Sequence, residues 1–165
     1  MKRSNTPIIV DIEASGFGAE SYPIEIGLID ESGNRFCSLI KPQEDWTHWA
    51  ESAEAVHGIP RQDLFTHGND PREIAIEINR RLGGKTVYSD GWAHDYPWLR
   101  KLFYAALKEP EFRFSPIEMI LTEAQIGIWD QTKQQVLKET TCPRHRASTD
   151  AYVIQQTWLR SREGI

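Results

Sequence analysis

Between Pro7 and Ile40 the apolar residues recur with a period of two, and beyond that stretch a period near four takes over, broken by short apolar runs. Few architectures accept that order. Residues 7–11 (PIIVD) are short, apolar and β-branched, as a buried strand requires, and Gly16 and Gly18 end it in a loop. Residues 23–30 (PIEIGLID) set Ile24, Ile26 and Leu28 on one side, and ESGN separates them from residues 35–40 (RFCSLI), so the two segments predict a hairpin. Helices are expected over 46–56 and 71–82, the second stopped by Gly83-Gly84. A strand over 85–89 then feeds a helix over 96–107, and a further strand at 112–114 precedes helices over 115–121, 123–138 and 147–162. The pattern predicts an α/β fold, a mixed β-sheet with helices on both faces, and a single domain over residues 1–165, since no repeat, linker or low-complexity tract divides the chain.

A chain of 165 residues, 39% of them hydrophobic, can bury a core without disulfides or a metal. No apolar run reaches the roughly 18 residues of a membrane span and MKRSNTP lacks the apolar stretch of a signal peptide, so a cytoplasmic protein with no membrane partner is expected. Cys37 and Cys142 are too few for a disulfide framework, and Cys142-x-x-His145 has no second ligand pair to make a zinc site. Lys and Arg number 19 against 24 Asp and Glu, a balance of −5 that disfavours nonspecific coating of nucleic acid. It leaves room for an enzyme that grips a few nucleotides through metal ions.

The acids carry the chemistry. Asp11 and Glu13 stand two apart at the end of the first strand, which puts both on one face and lets them converge on a hard cation. A solvated strand end would look the same. Asp95 lies where the fourth strand gives way to a helix, a place where α/β proteins bind ligands, although a helix N-cap ahead of Pro97 also accounts for it. Asp150 shares a helix side with Val153, Ile154 and Trp158, and an inward-facing acid on an apolar side needs a metal ion or a proton to offset its charge.

These residues, in order, resemble the DEDDh-type 3′-to-5′ exonucleases, the superfamily that includes the bacterial polymerase III proofreading subunit. IVDIEASG (residues 9–16) resembles the first motif, Ser89-Asp90 with Asp95 and Trp98-Leu99 the second, and His145 with Asp150 the H-x4-D third; IEIG (24–27) and VHGIP (56–60) also resemble superfamily segments. His94 departs from the pattern, standing where relatives carry an aromatic or bulky apolar residue. The resemblance implies a ribonuclease H-like fold in which Asp11, Glu13, Asp95 and Asp150 gather round two divalent cations, Mg2+ or Mn2+, with His145 as general base and Ala14, Ser15 and Gly16 beside the substrate. It implies release of nucleoside monophosphates from single-stranded DNA or RNA 3′ ends. Asp90 is expected no closer than a supporting position.

Phe17 and Trp92 flank the acidic motifs and are candidates to stack on bases, whereas Trp98 and Trp158 are expected to fill core. His57 either shapes the substrate-side loop or makes a loop hydrogen bond; His48, His67 and His94 read as ordinary surface histidines. Gly16-Phe17-Gly18 does not complete a dinucleotide-binding G-x-G-x-x-G. Arg80-Arg81, Arg100-Lys101 and Arg144 with Arg146 read as solvated charge rather than a basic groove. The competing readings are a non-catalytic nucleic-acid-binding module with the same fold and, more weakly, a sugar transferase, whose D-x-D form Asp-Ile-Glu lacks. A homodimer or a polymerase partner is left open by the sequence.

Overall fold

The computed structural model describes residues 5–141 and 145–164. Cys142 and Arg144 lie outside them, and with them the cysteine of the C-x-x-H pair. Strands β1 (Ile8–Ala14), β2 (Pro23–Ile29) and β3 (Arg35–Leu39) form an antiparallel meander, and β4 (Thr86–Ser89) and β5 (Arg113–Pro116) add parallel to the other side of β1, giving the order β3-β2-β1-β4-β5. This is the mixed sheet that the pattern predicts, in the ribonuclease H-like arrangement that the resemblance implies. β1 sits at its centre with helices on both faces.

Alternation along β1 divides two cores. Ile8, Val10 and Ile12 face one way, into a cluster with Ile24, Ile26 and Leu28 of β2 and with helices α2 (Arg61–His67), α3 (Pro71–Leu82) and α4 (Trp92–Ala105). Ile9 faces the other way, with Ile29, Ile117 and the Ala151, Ile154 and Trp158 stripe of α6 (Ala147–Glu163). Asp11 and Glu13 continue the Ile9 side, toward α6. Helix α5 (Glu123–Glu139) packs on α6 and starts from a capping box between Thr122 and Gln125.

Tertiary contacts move several boundaries. Helix α1 runs only from Glu51 to His57, because the 46–50 segment expected to open it is bound elsewhere. Trp46 stacks on Tyr22 at 5.4 Å, its carbonyl accepts from Arg61 Nη2 at 2.7 Å, and the Ala50 N–H donates to the Ser15 carbonyl. The seven-residue α2 has no counterpart in the pattern reading. Helix α4 starts at Trp92, four residues early, and encloses Pro97; Asp95 is therefore no N-cap, since its N–H already bonds the Gly91 carbonyl inside the first turn. The 115–121 segment is the end of β5 and a single 3₁₀ turn (Ile117–Ile120) rather than a helix, because Ser115 and Pro116 pair with Tyr88 and Ser89 of β4.

Helix α6 approaches the sheet unusually closely. Gly27, opposite Asp11 in the β1–β2 register, makes this possible: a Cβ there would stand 2.2 Å from the Ser148 nitrogen and 2.4 Å from the Ala147 carbonyl carbon.

Candidate active site

Strand β1 delivers Asp11 and Glu13, and the first turn of α6, lowered onto Gly27, delivers Asp150. Carboxylate oxygens of the three lie within 4.8 Å of one another. Buried Asp11 Oδ2 has no hydrogen-bond partner among the described residues. Burial, then the charges of Asp95, Glu13 and Asp150, push the Asp11 carboxyl well above its usual range. Burial, and a hydrogen bond that the Glu13 carboxyl donates to the Asp150 carboxylate, push Glu13 up to about 9; burial raises Asp150 although that same bond lowers it. Without a cation these acids hold protons that a hard oxygen-seeking ion would displace, so the donor set and the orphaned oxygen fit a divalent cation.

Asp95 stands beside the trio, 4% exposed at the start of α4. Its Oδ2 accepts from Ser89 Oγ at 2.5 Å, which lowers its pKa, but burial outweighs that bond and pushes it up to about 7. His145 closes the other side in the left-handed region (φ 59°), and its backbone N–H donates to Asp150 Oδ1 at 3.2 Å.

Two cavities meet at Asp11. One, of about 490 Å3, is lined by His145, Asp150 and, from α5, Asp130, Lys133 and Gln134. The other, of about 470 Å3, is lined by Glu13, Ala14, Gly16, Phe17, His57 and Asp95. His57 is buried; its Nδ1 accepts from the Ile59 N–H at 3.0 Å, so Nε2 carries the proton and has no partner among the described residues. Burial lowers its pKa and keeps it neutral.

Most of the residues singled out from sequence converge here, and two do not. Ser15 is fully buried behind the cavity wall, its hydroxyl bonded to His48 Nδ1 and to the Tyr22 N–H, so its side chain braces the loop and does not line the cavity. Trp92 lines neither cavity: its Nε1 donates to the Phe114 carbonyl and its ring stacks on Tyr96 at 4.9 Å, over β5. In its place Trp98 lines the second cavity with His94, stacked at 5.9 Å, and exposed Phe17 meets His94 edge-on at 5.1 Å. His94, exposed as a surface histidine is expected to be, and half-buried Trp98 thus form an aromatic wall of this cavity, and His48 is a bonding partner instead of a bystander.

Asp90 lines both cavities and pairs with Lys133 at 3.2 Å. Among the described residues Lys133 is the only Lys or Arg lining either one. Nothing at Lys133 in the sequence signals this, since 43 residues separate the pair and only the tertiary fold brings α5 to the turn after β4.

No family model and no curated protein matches the chain. Solved structures do. Exonuclease I from Methylocaldum szegediense superposes with a TM-score of 0.72 at 17% identity, covering 95% of this chain and 40% of that one. E. coli exonuclease I in complex with a dA16 oligonucleotide gives 0.66 at 15% identity over 90% of this chain and 38% of that one. The zinc-ion-bound form of the E. coli exonuclease I–single-stranded DNA complex gives 0.66 at 14%, over 93% and 39%. This chain therefore spans about two fifths of the exonuclease I chains it matches. At these identities the likeness is one of fold, and that fold is the ribonuclease H-like mixed sheet on which exonuclease I is built.

Proposed function

We propose that this chain is a metal-dependent 3′-to-5′ exonuclease of the DEDDh type that removes nucleoside monophosphates from single-stranded DNA or RNA. The observation that carries the reading is the convergence of Asp11, Glu13 and Asp150, with an orphaned buried oxygen on Asp11, where two cavities meet, one of them lined by His145. Asp11, Glu13 and Asp150 would hold the cations, with Asp95 completing the set. Bound divalent cations supply the Lewis acidity that lowers the pKa of an attacking water and offsets charge on the leaving oxygen.

The rest falls to this chain's own groups. The His145 imidazole takes the proton of the attacking water on a ring nitrogen. His57 Nε2–H, already desolvated and without a partner among the described residues, donates to an oxygen of the terminal nucleotide, so little polar desolvation remains to oppose binding. Phe17, His94 and Trp98 offer rings to the terminal bases. A terminus suits the site better than an internal duplex, because the lining residues supply Lys133 alone to track a phosphate backbone. That two of the E. coli exonuclease I structures hold a dA16 oligonucleotide and single-stranded DNA supports the substrate class.

The test uses 5′-labelled single-stranded and duplex DNA and RNA with Mg2+ or Mn2+. A descending ladder on linear single strands, with a covalently closed single-stranded circle persisting, upholds the reading. Rapid cutting of the circle overturns terminal binding, and metal-dependent binding without cleavage means a non-catalytic module.

A further inference from the structure

Glu25 is a carboxylate in the middle of the sheet with no exposed surface, and the chemistry above does not use it. It lies on β2 directly opposite Glu13 and therefore on the same face, toward α6. Placing a negative charge beside a metal-binding acid costs free energy unless the charge is fully engaged. It is engaged, and by one short segment. Arg146 Nε donates to both carboxylate oxygens at 3.0 and 3.2 Å, Arg146 Nη2 donates at 2.7 Å, and the Ala147 N–H donates at 2.7 Å. Cys37 Sγ donates at 3.4 Å from β3.

That segment lies between the residues that matter most. His145 precedes Arg146, and Ala147 is the first residue of α6, whose first turn holds Asp150. No side chain of its own caps α6, so the Glu25 carboxylate serves as its N-terminal acceptor from another strand. The bond from the His145 N–H to Asp150 then ties the residue before this anchor to the turn after it. The left-handed backbone of His145 is strained for a side-chain-bearing residue and needs its flanks held.

We infer that Glu25 is a positioning residue: through Arg146 and the Ala147 N–H it holds His145 and the first turn of α6 over Asp11 and Glu13. The inference rests on the nuclease reading for its kinetic consequence and on geometry alone for its structural one.

The test compares Glu25→Gln with the wild type, alone and combined with His145→Ala. The amide keeps the shape of the side chain but presents an N–H2 to the guanidinium. Turnover by Glu25→Gln is expected to fall about 10²-fold, the scale of a misplaced catalytic group, with KM within about 3-fold. In the His145→Ala background the same change should cost under about 3-fold, because there is no base left to misplace. Hydrogen exchange, read without metal or substrate, should show amides 145–150 losing protection while β2 keeps its own. Arg146→Ala cuts the same bonds from the half-exposed side and gives the same readouts should Glu25→Gln fail to fold, and Arg146→Lys should recover part of the rate. Losses that multiply with His145→Ala, or unchanged protection at 145–150 in folded variants, overturn the inference. If the wild type cleaves no oligonucleotide, the nuclease reading falls and the exchange experiment alone decides the anchor.

Discussion

Asp11 has to carry a charge where burial and its acidic neighbours all resist it. The sign of the consequence follows from linkage. Asp11, Glu13, Asp95 and Asp150 all have folded pKa values above those of the unfolded chain, so their contribution to stability is fully present below about pH 4 and is lost as pH rises through about 7 for Asp95 and about 9 for Glu13. In EDTA the melting temperature is expected to fall between pH 5 and pH 9, and Mn2+ or Mg2+ should reverse the fall by binding the ionised form. Asp11→Asn should flatten the slope and raise the metal-free melting temperature at pH 8 while reducing turnover at least about 10³-fold, as members of a catalytic unit do. Thermal scans with and without EDTA, beside a ladder assay, check both. His145→Ala should lower turnover about 10²- to 10⁴-fold, with little change in the Mn2+ concentration that half-stabilises the fold. Turnover within about 3-fold of the wild type, measured where chemistry limits the rate, assigns the proton to another group.

The element on which the site depends is α6. Its seat on the sheet requires Gly27, because any Cβ there meets backbone atoms of Ala147 and Ser148, which cannot rotate away. Gly27→Ala is therefore expected to cost about 3 kcal/mol of unfolding free energy, the upper end for overpacking, and to take most of the activity with it as Asp150 is lifted from Asp11. Denaturant unfolding with the oligonucleotide assay checks this; an active, wild-type-stable variant would mean that α6 shifts without consequence. The hairpin and α3 were legible in the sequence because each carries its own periodicity and stop signal, and α6 because its apolar side repeats at helical spacing. The truncated α1, the unforeseen α2 and the early start of α4 were not. Trp46 and Arg61 satisfy each other and Tyr22 across separate segments, Asp95 takes the hydroxyl of Ser89 on the preceding strand, and those partners decide where the helices begin.

At the scale of the whole molecule, charge bears on how the proposed substrate would be held. The chain carries a net −5, and among the described residues Lys133 is the one Lys or Arg lining the two cavities, so on the nuclease reading about one counterion should be released on binding a single strand. With metal saturating, log KM against log[KCl] should have a slope of about 0.7 in magnitude, against several for a protein that lies along a basic groove. A slope beyond about 3 would locate a basic surface outside the two cavities. By itself the sequence determined the α/β class, the central strand and the acids at its end, because alternation and the abrupt glycine stops are local properties of the chain. It also marked Asp95, His145 and Asp150, through their order and spacing. Only the tertiary structure decided that Ser15 braces a loop, that Trp98 and not Trp92 faces the cavity, and that Asp90 meets Lys133. Nor does any local pattern announce that Glu25, one residue of an ordinary alternating strand, receives the loop that precedes α6. Each of these depends on which surfaces of separate elements are pressed together, and neither periodicity nor motif spacing encodes that distance.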